Sequence, residues 1–299
     1  MLDLVHQLIA ENKKTHATFL DLGNCGITIV PEEIGSLVWL EYLSFASGWI
    51  DDDGLWCDSK NTFVTNNITQ LNSGFHFLTN LKKLQLNCGL NLFSKKYDLT
   101  DLSPLAELNK LQVLDIRNTN ILDLSPLAGL SNLQNLNISK TPVFDLSPLS
   151  GLRNVTKIDL NLSSVCDLSS LASLTCLKEL IINKTQLSDL SPLGSLTNLL
   201  RLDACNTKVS DLYPLEDLNN LLRLDLQFTL ISDLKPLAGL NKLRELYVGS
   251  TLVCELSPLA GLKELQKLDV GSSSVIDLEP LTRLTKLQMI DYPTQKYQI

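Results

Sequence analysis

The sequence predicts an α/β solenoid, a curved right-handed superhelix with a parallel β-sheet on its concave face and short 3-10 or helical turns on its convex side. Three observations predict it. An acidic residue followed by leucine recurs every 22 residues, at Asp101, Asp123, Asp145, Asp167, Asp189, Asp211, Asp233, Glu255 and Asp277. Proline stands three residues after the acid in eight of these nine copies, and Ser170 takes its place in the other. Of 299 residues 68 are leucine, well above ordinary usage, whereas only 6 % are aromatic. Self-similarity locked to one phase marks a stack of small units that bury their leucines only against one another.

Spacing justifies each element of a unit in turn. Leu105, Leu108, Leu111 and Leu114 fall three apart, which suits a 3-10 segment better than a 3.6-residue helix. Ser103 and Pro104 read as an N-cap followed by proline at the first helical position. The period then changes to two. Leu114 and Ile116 alternate with Val113, Asp115 and Arg117, so this stretch is a short half-buried strand. Stacked strands form a parallel sheet, and the bulkier opposite side of each coil places that sheet inside the curve. After each strand one phase holds Thr119, Thr141, Ser163, Thr185, Thr207, Thr229, Thr251 and Ser273. A hydroxyl there satisfies backbone groups freed at the strand end.

The segment LQVLDIRNTNILDLSPLAGL, from Leu111 to Leu130, and its copies resemble leucine-rich repeats of the bacterial 22-residue class, similar to the repeat region of internalins. The resemblance spans roughly residues 17 to 292. In that family asparagine usually ends the strand, and here threonine or serine does, so the resemblance implies a shared fold rather than a shared function. No segment matching the internalins' secretion signal, immunoglobulin-like module or wall anchor is recognisable, so the display of that family on a cell surface is not expected here. Residues 1–16 read as an N-terminal helical cap with Leu2, Val5, Leu8 and Ile9 on one side. Residues 17–299 then form a repeat domain of about twelve turns. A variant unit with Pro31 in its second half comes first, and insertions at about 46–74 and 87–99 stretch two of the gaps between strands. Both leave just after a strand and are expected on one edge of the stack, where solenoid insertions often serve binding.

Composition excludes several functions. A formal net charge of −8 supplies no basic stripe for phosphates, so nucleic acid is not the expected partner. No apolar run reaches the roughly 18 residues of a membrane span. An acidic Asp3 and the polar pair His6 and Gln7 argue against a signal peptide, so a cytoplasmic location is expected, or delivery to a host cytosol without a classical signal. Seven cysteines, without a CxxC pair, suit a reducing compartment and form no zinc cluster. The three histidines, His6, His16 and His76, all lie in the first quarter. Phosphate loops, dinucleotide fingerprints, HExxH and GxSxG are absent. The expectation is a non-enzymatic protein with no cofactor and no metal.

Two candidate surfaces follow. On the concave face the polar and apolar columns supply Asp115, Arg117, Asp159, Ile181, Arg201, Asp203, Arg223, Asp225, Tyr247 and Asp269, with Phe228 at the strand end. Lys157 with Asp159, Arg201 with Asp203, and Arg223 with Asp225 either meet a partner or neutralise each other as exposed pairs worth roughly 0–1 kcal/mol. Tyr247 and Phe228 are the preferred anchors, since aromatic side chains commonly dominate interface energy. Phe228 alternatively tucks into its turn. The second surface is an insertion rim of Trp49, Asp51, Asp52, Asp53, Trp56, Phe93 and Tyr97, which either grips a partner or folds down as a lid. Asp51 to Asp53 lack the alternating oxygens and terminal glutamate of an EF-hand, so calcium is not expected. The expected function is recognition of another protein, as a free-standing adaptor, inhibitor or effector. The alternative is the ligand-sensing repeat region of a larger signalling protein such as a repeat-linked GTPase. The ending LQMIDYPTQKYQI shows no evident cap, which leaves room for an end-to-end dimer.

Overall fold

The computed structural model describes residues 2–50, 56–61, 64–87 and 96–291. The chain forms two compact units, Met1–Val155 and Thr156–Ile299. The first begins with helix α1 (Leu2–Thr15), followed by strands β1 (Phe19–Asp21) and β2 (Tyr42–Ser44). An antiparallel hairpin of β3 (Gly48–Ile50) and β4 (Trp56–Asp58) comes next, then β5 (Lys83–Gln85), β6 (Val113–Asp115) and β7 (Asn135–Asn137). Strands β1, β2, β5, β6 and β7 pair in parallel with Leu20, Leu43, Leu84, Leu114 and Leu136 in line.

The second unit holds β8 (Lys157–Asp159), β9 (Glu179–Ile181), β10 (Arg201–Asp203), β11 (Arg223–Asp225), β12 (Glu245–Tyr247), β13 (Lys267–Asp269) and β14 (Met289–Asp291). Their central residues Ile158, Leu180, Leu202, Leu224, Leu246, Leu268 and Ile290 are again in parallel register. Between strands the chain makes 3-10 turns such as Ser191–Leu193 and Tyr213–Leu215. The leucines at three-residue spacing point inward, and Leu187, Leu190, Leu193 and Leu196 of one coil are all fully buried.

The acidic column caps these turns. Position Leu102, not Ser103, is the N-cap, and it makes no side-chain cap bond. Asp101 instead reaches forward: Oδ1 accepts from the Ser103 N–H at 2.7 Å and Oδ2 from the Ser103 hydroxyl at 2.8 Å. The backbone bond recurs at Asp123, Asp145, Asp167, Asp189, Asp211, Asp233 and Asp277. These bonds to the ionised form hold the Asp123 and Asp189 carboxyls below their ordinary value.

The hydroxyl column acts within each coil. Thr119, Thr141, Thr185, Thr207, Thr229 and Thr251 donate to the carbonyl three residues earlier at 2.6–2.8 Å. Ser163 breaks the series, because its buried Oγ has no hydrogen-bond partner. Just before this column Asn118, Lys140, Leu162, Lys184, Asn206, Phe228, Ser250 and Ser272 all adopt left-handed backbone, with φ of 55–58°. That conformation aims the Phe228 N–H at the Gly249 carbonyl of the next coil, 3.0 Å away.

The insertions are shorter than the sequence suggests. Cys25 bridges Val64 and Ile29 bridges Gln70 in parallel, so the first excursion has rejoined the coil by Val64. Asn66 makes this return possible. It is buried, accepts from the Cys25 and Ile27 N–H groups, and donates to the Leu22 and Phe45 carbonyls at 2.8 and 2.9 Å. The second excursion ends where Tyr97 bridges Thr119. Helix α1 is tied to the first coil by buried Val5 and Ile9 and by Asn12, which accepts from the Trp39 indole at 2.9 Å and donates to the Ala17 carbonyl.

Replacing Thr207 by alanine leaves a buried carbonyl unpaired and is expected to cost about 1–2 kcal/mol in urea unfolding. Replacing Ser163 by alanine removes no bond and is expected to cost about 0.5 kcal/mol or less. Equal losses in the two variants would contradict the hydroxyl role.

Candidate protein-binding surface

Strand periodicity sets the surface. Because alternate residues of a strand face opposite ways, β10 to β13 present Arg201, Asp203, Arg223, Asp225, Glu245, Tyr247, Lys267 and Asp269 on one face. Parallel register brings like positions of neighbouring coils side by side, and the charges connect across coils. Asp203 is only 3 % exposed and stands between two guanidinium groups. It accepts from Arg201 Nη2 and Nε, and from Arg223 Nε at 3.1 Å. Arg223 continues the chain to Glu245 at 2.7 Å, and Lys267 closes on the other oxygen of Glu245 at 2.7 Å. The Tyr247 hydroxyl also donates to Glu245, and its ring lies 4.5 Å beneath the Arg223 guanidinium.

These contacts set the titration of the groups. Hydrogen bonds from Lys267, and then from Arg223 and Tyr247, outweigh burial and lower Glu245 to about 2. Burial pulls Arg223 down, yet Glu245 and Asp203 outweigh it and hold the guanidinium above its ordinary value. Asp225, unlike Glu245, is shifted upward. Burial, helped by the nearby Asp203 and Asp269 charges, raises it against the opposing Gln227 N–H bond and the Arg223 charge, whose closest contact to it is 3.4 Å. Asp269 is bound by the Gly271 N–H at 2.7 Å and by the Gln227 amide. A side chain at Gly249 would come within 2.7 Å of the Asp269 carboxylate, so glycine leaves that acid accessible from one side.

The other predicted residues divide clearly. Lys157 pairs with Glu179 of the next coil at 2.8 Å, and Asp159 Oδ1 accepts from the Asn161 N–H. Ile181 is half-buried between Asp159 and Asp203 in the register. In the first unit Asp115 is buried and bound by the Arg117 guanidinium at 2.6 Å. Burial still outweighs Arg117 and raises the Asp115 carboxyl. Phe228 does not tuck into its turn, being 59 % exposed. Tyr97 departs from the rim altogether. It is 1 % exposed, and its hydroxyl donates to the Phe45 carbonyl at 3.2 Å, so it belongs to the core. Trp49 and Trp56 lie on the β3–β4 hairpin. Asp51, Asp52, Asp53, Phe93 and the final residues 292–299 lie outside the described residues.

Two residues were missed. Leu230 and Leu252 share one column in adjacent coils and are 55 % and 61 % exposed. The signal was legible, since Asn120, Pro142, Ser164, Gln186, Lys208 and Ser274 occupy the same column elsewhere. Phe228, Leu230 and Leu252 thus put three large apolar side chains on the loops that follow β11 and β12.

The fold and this periodic surface define a leucine-rich repeat solenoid, and its structural neighbours are bacterial proteins of the internalin type. Over 98 % of its length the chain is similar to an internalin (inlF) from Listeria monocytogenes, at 26 % identity, TM-score 0.72 and 95 % coverage of that chain. Internalin C2 (inlC2) of the same organism matches at 28 % identity and TM-score 0.55, over 73 % of this chain and 83 % of that one. A leucine-rich repeat protein of Leptospira interrogans shares the fold at 21 % identity and TM-score 0.76, over 89 % of this chain and 64 % of that one. No protein-family model and no curated protein matches the sequence. Among the described residues no cluster of histidine, cysteine and acidic side chains is arranged to hold a metal ion, and no helix is long and apolar enough to cross a membrane. A fold of this kind serves as a scaffold for protein–protein interaction.

Truncating Asp203 to alanine leaves the Arg201 guanidinium without its carboxylate and removes one of the acceptors of Arg223, and is expected to cost about 1–3 kcal/mol, the partial exposure of both arginines keeping it below a fully buried pair. Removing Glu179, whose pair with Lys157 is exposed, is expected to change stability by about 0.5 kcal/mol or less. The Glu245 effect carries a pH signature. A carboxyl held below its unfolded value stabilises the fold above about 4.5 and loses that contribution as pH falls toward about 2. Chemical unfolding should therefore show wild type exceeding Glu245→Gln near neutral pH, with the difference closing below pH 4.5.

Proposed function

We propose that this chain recognises a protein partner through the face of β10 to β13 together with the Phe228–Leu230–Leu252 loops, without catalysing a reaction. One observation carries the proposal. Phe228 occupies a left-handed backbone position that asparagine, lysine or serine fills in most other coils, and yet its ring is exposed. A bulky residue there costs roughly 1–2 kcal/mol in local strain, and exposure returns nothing from burial. Strain retained at an exposed aromatic side chain is the pattern of a binding anchor.

The neighbouring chemistry suits such a role. The charge chain from Arg201 to Lys267 fixes its members before a partner arrives, which lowers the ordering cost of association. Asp225 and Asp269 offer carboxylates beside the apolar trio, so a complementary partner presents apolar residues flanked by basic ones. The remaining face residues, Asp115, Arg117, Asp159 and Ile181, extend the reading as complementary contacts, and the hairpin with Trp49 and Trp56 as a rim. Five described cysteines, Cys25, Cys166, Cys176, Cys205 and Cys254, are free thiols, which supports a reducing, cytosolic setting for an adaptor, inhibitor or effector.

Phe228→Asn separates stability from binding. Asparagine tolerates left-handed backbone, so the variant is expected to gain about 0.5–1 kcal/mol in unfolding free energy. In a quantitative pull-down from source-cell lysate it should lose the partner retained by wild type, by roughly 30-fold if the ring is an anchor worth about 2 kcal/mol. A partner held equally by wild type and by a Phe228→Asn/Leu252→Ser double variant would overturn the assignment.

A further inference from the structure

The first unit contains a groove of about 870 Å³ between α1 and the chain that follows β1. We propose that it binds a small amphipathic amine, with an apolar body in the groove and a protonated amino group at its acidic mouth. This site stands independently of the protein-binding surface proposed above.

The groove arises where a helix replaces a coil. Residues Cys25 to Pro31 are bridged to the next coil through Val64 and Gln70, and α1 supplies Val5 and His6 to the groove wall. The floor is apolar: Val5, Cys25, Ile27 and Val30 are all buried, and Ile29 stands exposed at the edge. Burial, with a smaller push from Asp21, raises the Cys25 thiol to about 11, so the sulfur stays neutral at physiological pH and donates to the Gly23 carbonyl at 3.3 Å. The floor therefore carries no charge.

Charge is confined to the mouth, where Glu32 and Glu33 open a 3-10 turn and His6 lies 3.9 Å from Glu33. Among the described residues no lysine or arginine lines the groove. Even with His6 protonated, two carboxylates against one imidazolium leave a net negative entrance. The volume lies in the range of small-molecule sites, which are mostly apolar with a few placed polar groups. An apolar body answers the floor, and a cation answers the mouth better than a neutral or anionic head of equal length.

Titration of the full chain with decylamine, decanol and decanoate below their aggregation limits tests this, read by methyl NMR with labelled isoleucine and valine. Decylamine should shift the Val5, Ile27, Ile29 and Val30 methyls saturably and bind at least about fivefold more tightly than decanol, with decanoate weakest, as two exposed carboxylates predict. In a Glu32→Gln/Glu33→Gln variant, both positions exposed, decylamine should fall to the level of decanol with the same methyls shifting. Equal binding of the three probes in wild type, shifts spread over other methyls, or no saturation would each overturn the proposal.

Discussion

A three-residue strand has no stability of its own, and every coil here contains one. What makes the strands possible is register: the central leucine of one falls beside the central leucine of the next because the spacing is 22 residues. With that spacing fixed, any chemistry placed at one phase is copied into a column. Aspartates cap 3-10 turns, threonines take up the carbonyls that strands leave free, and left-handed residues pass an N–H to the neighbouring coil. The columns are consequences of the register, and so is the surface, because Asp203, Arg223 and Glu245 meet only when consecutive strands align.

Departures from the columns carry the individuality of the chain. Ser163 leaves a hydroxyl unpaired where threonine bonds elsewhere. Asn66 substitutes one buried amide for an interrupted repeat and lets the chain return to its coil after the β3–β4 excursion. Phe228 departs in backbone preference as well as polarity, and Leu230 and Leu252 depart in polarity alone. The interrupted repeat is compensated by the bonds of Asn66 within the fold. The apolar trio is exposed, with no such compensation in the chain itself, which is why the proposed binding surface is placed there.

Much of the architecture was legible because period is a property of sequence. Solenoid topology, strand positions and the hydroxyl column follow from counting alone. The limits of the insertions did not, because Val64 and Tyr97 rejoin the coil through backbone bridges that no side-chain pattern announces. The capping atom was misplaced by two residues, since Ser103 matches an N-cap in type while Asp101 holds the geometry. Pairing on the face was legible only in part. Arg201 with Asp203 follows from strand alternation, whereas Lys157 with Glu179 depends on which neighbouring coil a flexible side chain reaches. The exposed leucines were hidden by the abundance of leucine itself, and only column-by-column comparison separates them from the core.

Register alone assembles a fixed chain of charges across four coils, from Arg201 to Lys267, before any partner binds. Side-chain ¹⁵N NMR of the arginines tests it directly. Arg223, which bonds Asp203 and Glu245 and lies over the Tyr247 ring, is predicted to show a slowly exchanging Nε–H and separate Nη signals near neutral pH. Exposed Arg153 should show fast exchange and averaged Nη signals. An Arg223 spectrum averaged like that of Arg153 would contradict the account, because the face would then be a set of mobile surface charges and not a preformed one.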